Sequence, residues 1–273
     1  MLHVLNLRPA AVLALLLALL PATPAAAQDV LVFAAAPTLP EARTLEVYQP
    51  FVEYLSEKLG RPVELHTAEN FLQYANEMRA GHYDIVFDGP HFIGYRMERL
   101  GHIPVVRLTG DLNYVVVTKE GSSLRGLDGL EARRVCGLPS PNFVTFAFLD
   151  HFPNPVRQPL MQPVRNFKES VECARSGKAE AALVQARFWG KADKSQLRVL
   201  YKNDVAFPER GFSAGPAVDA KTRSALAKAI LESKDAAAGQ TLLEVMGGKG
   251  FVAADPAEYK GLGRLLKAVW GYY

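Results

Sequence analysis

Four short polar corners hold the residues with the most chemistry to offer. They are Thr38 behind Ala36-Pro37, the turn Asp88-Gly89-Pro90-His91, the run Ser140-Pro141-Asn142-Phe143 with Thr145 one turn on, and Gln185-Ala186-Arg187. Together these types can hold a small oxyanion. Arginine pairs with one bidentately, and a Ser or Asn helix cap sits beside free N–H groups and a positive dipole end. His91 can donate to an anion, and Asp88 can accept from a ligand hydroxyl, an amine or a protonated oxygen. Tyr48 and Phe143 can supply aromatic walls. Each residue also has a plainer role, as a helix cap, a corner-fixing hydrogen bond or a helix-surface arginine, and the sequence leaves both readings open. Nothing asks for catalysis: there is no Gly-rich phosphate loop, GxSxG, HExxH or cysteine poised beside a histidine. No cofactor or metal is expected.

Such corners need rigid elements beneath them, and the chain supplies strands alternating with helices. Apolar runs at 30–36, 62–67, 83–87 and 102–108 read as strands, and the helical spacing of Val47, Phe51, Leu55 and Leu59 gives a helix over 41–59. A β-rich stretch at 112–119 leads into a second series, with strands at 133–138, 160–164, 181–185 and 197–201 and helices at 142–152 and 167–176. The remainder reads as three helices, 219–233, 236–246 and 256–270. One unit is written twice. Asn70 to Phe92, NFLQYANEMRAGHYDIVFDGPHF, returns as Asn166 to Phe188, NFKESVECARSGKAEAALVQARF. In register, Asn70 meets Asn166, Gly81 meets Gly177, Asp84 meets Glu180 and Phe92 meets Phe188. That echo predicts two similarly built halves. Alternating elements predict parallel sheets with helices on both faces. In such sheets ligands bind beyond the carboxyl ends of the strands, which is where all four corners fall.

The 273 residues are 49% hydrophobic and 22% charged, enough for one large domain or two lobes. Arg8, the apolar run Ala10 to Leu20 and Ala25-Ala26-Ala27 read as a secretory signal peptide over 1–27, too short to span a bilayer. The expected divisions are 28–112 for the first part of lobe 1, 113–203 for lobe 2, and 204–273 returning to lobe 1. The formal net charge is +3, of which the leader carries one cation and no acid. That is too weak to imply nucleic acid, although it does not oppose an anionic ligand. No stable membrane insertion is expected after cleavage, and the mature protein is read as a periplasmic monomer. In an exported chain Cys136 and Cys173 are expected to pair, the alternative being two separate buried thiols.

Several stretches are similar to one known family. They are Tyr48-Gln49-Pro50-Phe51-Val52-Glu53-Tyr54-Leu55 with Lys58-Leu59-Gly60, Tyr83-Asp84-Ile85-Val86 leading to Gly89-Pro90-His91-Phe92, and Ser176-Gly177 leading to Ala181-Ala182-Leu183-Val184. In these the chain resembles the phosphate/phosphite/phosphonate-type periplasmic solute-binding proteins, over essentially the whole mature sequence. The resemblance implies an α/β type 2 periplasmic-binding-protein fold: two lobes, each a mostly parallel sheet flanked by helices, joined by a two-strand hinge. It further implies a trap for a small anionic solute serving an ABC transporter permease, with a membrane sensor kinase as the alternative partner and an exported enzyme on the same fold as a third reading. The pocket departs from the family. Pro141 and Phe143 interrupt a turn that is usually Ser/Thr-rich, and Gln185 stands where many members have an acid.

Overall fold

The structure, a computed structural model, describes residues 30–267 and 269. The leader read at 1–27 lies outside them. Lobe 1 opens with β1 (Leu31–Ala35), α1 (Glu41–Leu59), β2 (Val63–His66), α2 (Phe71–Arg79), β3 (Ile85–Asp88), α3 (Pro90–Leu100) and β4 (Ile103–Leu108). The chain leaves through β5 (Asp111–Leu112). Lobe 2 comprises β6 (Tyr114–Lys119), β7 (Arg134–Gly137), α4 (Phe143–Leu149), β8 (Leu160–Pro163), α5 (Phe167–Ser176), β9 (Ala181–Gln185), α6 (Ala186–Trp189) and β10 (Leu197–Lys202). It returns through β11 (Phe207–Pro208), then adds β12 (Gly211–Ala214), α7 (Ala220–Glu232), α8 (Ala237–Met246) and β13 (Phe251–Ala253).

The two sheets share one plan. Lobe 1 has the order β13-β4-β12-β3-β1-β2 and lobe 2 the order β10-β6-β9-β7-β8. In each, three parallel strands are followed by one antiparallel strand, β12 or β6, and then by a strand that restores the first direction. The antiparallel strand is in both cases the first to enter after a crossing between lobes. The crossings pair with each other, β5 against β11, as the expected two-strand hinge. Asn203 ties the crossings together, accepting from the Tyr114 amide at 2.6 Å and donating to Asn113 Oδ1 at 3.0 Å.

The written echo has a structural cause. Asn70 and Asn166 both cap their helices from the extended region, at φ −157° and −158°. Gly81 and Gly177 follow those helices at φ 76° and 79°, backbone that L side chains rarely adopt. Asp84 accepts from the Val32 amide at 2.8 Å, and Glu180 accepts from the Arg134 amide at 3.0 Å. Each acid therefore pins the start of its strand, β3 or β9, to the parallel neighbour beside it, β1 or β7.

Two expectations need correction. The helix read over 256–270 is instead a pair of tight 3-10 turns, Pro256–Tyr259 and Leu262–Leu266. Gly261, at φ 80°, breaks the spiral between them, and Gly263 lies so close to α3 that a Cβ there would stand 2.8 Å from the Tyr95 backbone. Strands β12 and β13 were not among the elements read from the sequence, which took the remainder as helices. Yet β12 is central to lobe 1, and its Phe212 packs at a tilt on Phe87 at 4.5 Å and stacks on Phe51 at 5.5 Å in a core with Phe33.

Cys136 on β7 and Cys173 on α5 form a disulfide, with Cα atoms 6.4 Å apart, because α5 crosses back over β7. The bridge closes a loop spanning 37 residues of separation. By restricting the unfolded chain it is expected to add about 4 kcal/mol. Urea unfolding with and without reductant should show that difference. Equal midpoints, or free thiols in the denatured unreduced protein, would deny it.

Candidate functional site

Polar contacts join the lobes at the strand ends. His91, second residue of α3, approaches Pro141 O of lobe 2 with Nε2 at 2.8 Å. Gln185, ending β9, donates to Glu209 Oε1 of the return segment at 3.1 Å. Arg187 in α6 donates to Gly247 O at the end of α8 at 3.1 Å and lies 3.9 Å from Glu209. Around these, Phe143 packs on His91 at 5.5 Å and on the hinge residue Phe207 at 4.9 Å. The Asp88, Ser140 and Gln185 corners thus converge from both sheets. Thr38 stands exposed at the rim, just past Ala36, whose amide bonds Phe87 O at the end of β3.

Asp88 departs from expectation. It does not face the cleft but is sealed inside lobe 1, its side chain fully buried against Arg96. Arg96 Nη2 meets Oδ1 at 2.6 Å and Nη1 meets Oδ2 at 2.8 Å, while the Tyr74 hydroxyl donates to Oδ2 at 2.5 Å. Arg96 Nε is held by Ser213 Oγ at 3.2 Å. A buried carboxylate needs such pairing, so Asp88 stiffens the corner on which His91 sits. The helix starts at Pro90, inside what the sequence offers as a polar corner, and so brings Arg96 back to Asp88 about two turns on.

His91 is 2% exposed. Burial pushes its pKa down to about 3 against the Pro141 hydrogen bond, with Arg210 and Arg96 adding to the fall. Its ring is neutral, and since Pro141 O can only accept, Nε2 carries the proton. Nδ1 is a buried acceptor without a partner among the described residues. His91 therefore spends its one N–H on joining the lobes.

The α4 start is similarly occupied. Asn142 Oδ1 accepts from the Val144 amide at 3.0 Å and the Thr145 amide at 3.4 Å, and Thr145 Oγ1 donates to Leu138 O at 2.6 Å. The plainer reading, a helix cap, describes Asn142, while Ser140 stays exposed beside it. Tyr48 is 2% exposed, and burial raises its pKa, with Arg210 opposing and Asp88 reinforcing. No hydrogen bond of its hydroxyl is found among the described residues.

Glu209 and Arg210 went unread in the sequence. Their signal was symmetry: β12 enters lobe 1 from the hinge as β6 enters lobe 2, so the residues before it must lie at the same edge of the cleft. A separate surface groove of about 460 Å³, lined by Lys119, Ser122, Arg133 and Gly177, lies at the opposite ends of the lobe 2 strands and is not part of this site. Among the described residues no group of His, Cys, Asp or Glu is placed to hold a metal ion, and no helix is long and apolar enough to cross a membrane.

Two sheets of one plan, hinged by paired crossings and meeting at their strand ends, define a two-lobed type 2 periplasmic binding protein. More narrowly, the chain belongs to the phosphonate ABC transporter periplasmic substrate-binding protein family, whose pattern matches residues 33–259. This is a family of substrate-binding proteins and not of enzymes. No curated protein matches the sequence significantly. Similar solved structures include XAC2383 from Xanthomonas citri bound to ATP, with a TM-score of 0.69 at 14% identity over 86% of this chain and 95% of that one. PhnD1 from Prochlorococcus marinus in complex with methylphosphonate gives 0.65 at 16% identity over 87% and 97%. A binding protein component of a phosphonate transporter from Pseudomonas aeruginosa gives 0.59 at 14% identity over 85% and 83%. At these identities the likeness is one of fold.

Proposed function

We propose that the protein is the capture component of an ABC importer, closing its lobes on a small oxyanion of the phosphonate, phosphite or phosphate kind and presenting it to a membrane permease. The observation that carries this is the meeting of strand ends across the cleft, where His91, Gln185 and Arg187 each reach from one lobe to the other. A ligand held there touches both lobes only when they are closed, so binding shifts the population toward closure. The methylphosphonate in the Prochlorococcus relative supports the ligand class, and the apolar leader supports export to the periplasm. Of the four corners, Thr38 and Ser140 are exposed and free to meet a ligand, and Arg187, although it meets Gly247 O, keeps further donors to offer.

A thermal-shift screen against phosphate, phosphite, sulfate, alkylphosphonates and small carboxylates tests this, followed by calorimetry on any hit. A ligand at a hundred times its Kd stabilises the folded form by about 2.7 kcal/mol, on the order of 5–10 °C for a chain of this size. No shift and no heat with any of these oxyanions would remove the reading.

A further inference from the structure

Resting on that reading, we infer that Arg210 is the principal anchor of the anion and that it works with Arg187 as a clamp with one guanidinium in each lobe. Arg210 precedes β12, whose first residue, Gly211, pairs with Asp88 at the carboxyl end of β3. Its side chain therefore starts at the edge of lobe 1 that faces the cleft. Nη1 lies 3.3 Å from Met246 Sδ, and Arg187 Nη1 lies 3.1 Å from Gly247 O. Met246 and Gly247 are consecutive, so two guanidiniums from different lobes rest on neighbouring residues.

Neither cation is satisfied there. A guanidinium carries five N–H donors, and the thioether that Arg210 meets is a weak acceptor. Its other donors have no acceptor among the described residues. Arg187 Nε is buried without a partner among the described residues. One carboxylate, Glu209, stands nearby, 3.9 Å from Arg187, and Gln185 already engages it. The Asp88–Arg96 pair cancels itself, so the cleft holds two positive charges against one negative. Burial lowers the Arg187 pKa, Glu209 opposes that and Arg210 reinforces it, and the same Arg210 charge is felt at Tyr48 and His91.

A plainer role is that both arginines complement the negative end of α8. That role uses one carbonyl, Gly247 O, and leaves the remaining donors idle. A tetrahedral oxyanion with three or more oxygens fills them, and charge-assisted, forked pairing is what guanidinium geometry favours. Because Asn142 already occupies the Val144 and Thr145 amides, side-chain cations take over the task that free helix-end amides would otherwise perform.

The test is calorimetry with methylphosphonate and with inorganic phosphate at low salt, on wild type, Arg210→Gln and Arg210→Lys. Arg210→Gln should weaken whichever oxyanion the wild type binds by about ten- to a hundred-fold, the loss of one charge-assisted contact. Arg210→Lys should fall between, keeping the charge without the fork. The unliganded melting point should stay put, since Arg210 is only half-buried. A measurement needing no variant is the neutral ester dimethyl methylphosphonate, expected to bind wild type at least about a hundred-fold more weakly than methylphosphonate, for want of charge. Wild-type binding with Arg210→Gln unimpaired, or with the neutral ester as tight as the anion, overturns the clamp and leaves the proposed function standing. Wild type that binds no oxyanion at all overturns both.

Discussion

Replacing Arg96 with methionine should cost the protein about 3–5 kcal/mol, the usual result of stripping one partner from a buried ion pair. Arg96 is 0% exposed. Burial by itself would lower its pKa, but the charge of Asp88 and the Tyr74 hydroxyl reverse that and hold it above the ordinary value. The guanidinium spans Asp88, Ser213 and Tyr74, binding the end of β3 to β12 and α2. Without it the Asp88 carboxylate is left in an apolar interior, hydrogen-bonded by Tyr74 alone. Domains are stable by only about 5–15 kcal/mol, so this change takes a large share. Adding Asp88→Asn to Arg96→Met removes the stranded charge, and the double variant should be more stable than Arg96→Met alone. Denaturant titrations of the four proteins in the cycle measure this. Strictly additive losses would mean that the pair is not coupled and that Asp88 has another role.

What was legible beforehand follows from which interactions are local. Helix caps, left-handed glycines and apolar strands are written in a few adjacent residues, so the repeated unit at Asn70 and Asn166 was visible and its twin geometry followed. The pairing of Cys136 with Cys173 was likewise within reach, because a crossover helix must pass over its own first strand. Asp88 could not be placed correctly, since its orientation depends on Arg96 two turns into a helix whose start at Pro90 was not recognised. Strand β12 was obscured because Gly211-Phe212-Ser213-Ala214 has little strand propensity. It is held by pairing on both sides with β3 and β4, a purely non-local cause. Glu209 and Arg210 were lost with it. The family likeness fixed the scaffold but drew attention to the turn after β7, whereas the unsatisfied cations lie on the return path.

Acid should weaken the fold well before its carboxylates titrate, through two histidines. His91 and His102 are both buried, and desolvation brings each pKa to about 3, with Arg96 pushing both further down and Arg210 acting on His91. Around His91 stand Pro141 O and the rings of Phe92, Phe143 and Phe146. His102 Nδ1 faces Ser213 Oγ at 3.3 Å. The unfolded chain titrates near pH 6.5, so on acidification it takes up protons that the folded form refuses. Stability is then fully present above about pH 6.5 and is lost as the pH falls toward 3. At pH 5 each histidine should cost about 2 kcal/mol, or about 4 kcal/mol together. Urea unfolding at pH 7.5 and pH 5 measures the loss, and His102→Gln, which keeps a hydrogen-bond partner for Ser213 but cannot titrate, should remove about half of it. An unchanged acid loss in that variant would place its origin elsewhere. His91 has a second outlet, because it is buried by contact between the lobes and not by one lobe alone. Parting the lobes exposes Nδ1 without unfolding either sheet, so protonation there opposes closure as well as stability. Affinity for a captured oxyanion should accordingly decline more steeply over the same pH range in wild type and in His102→Gln than in His91→Gln, where only the oxyanion's own protonation remains.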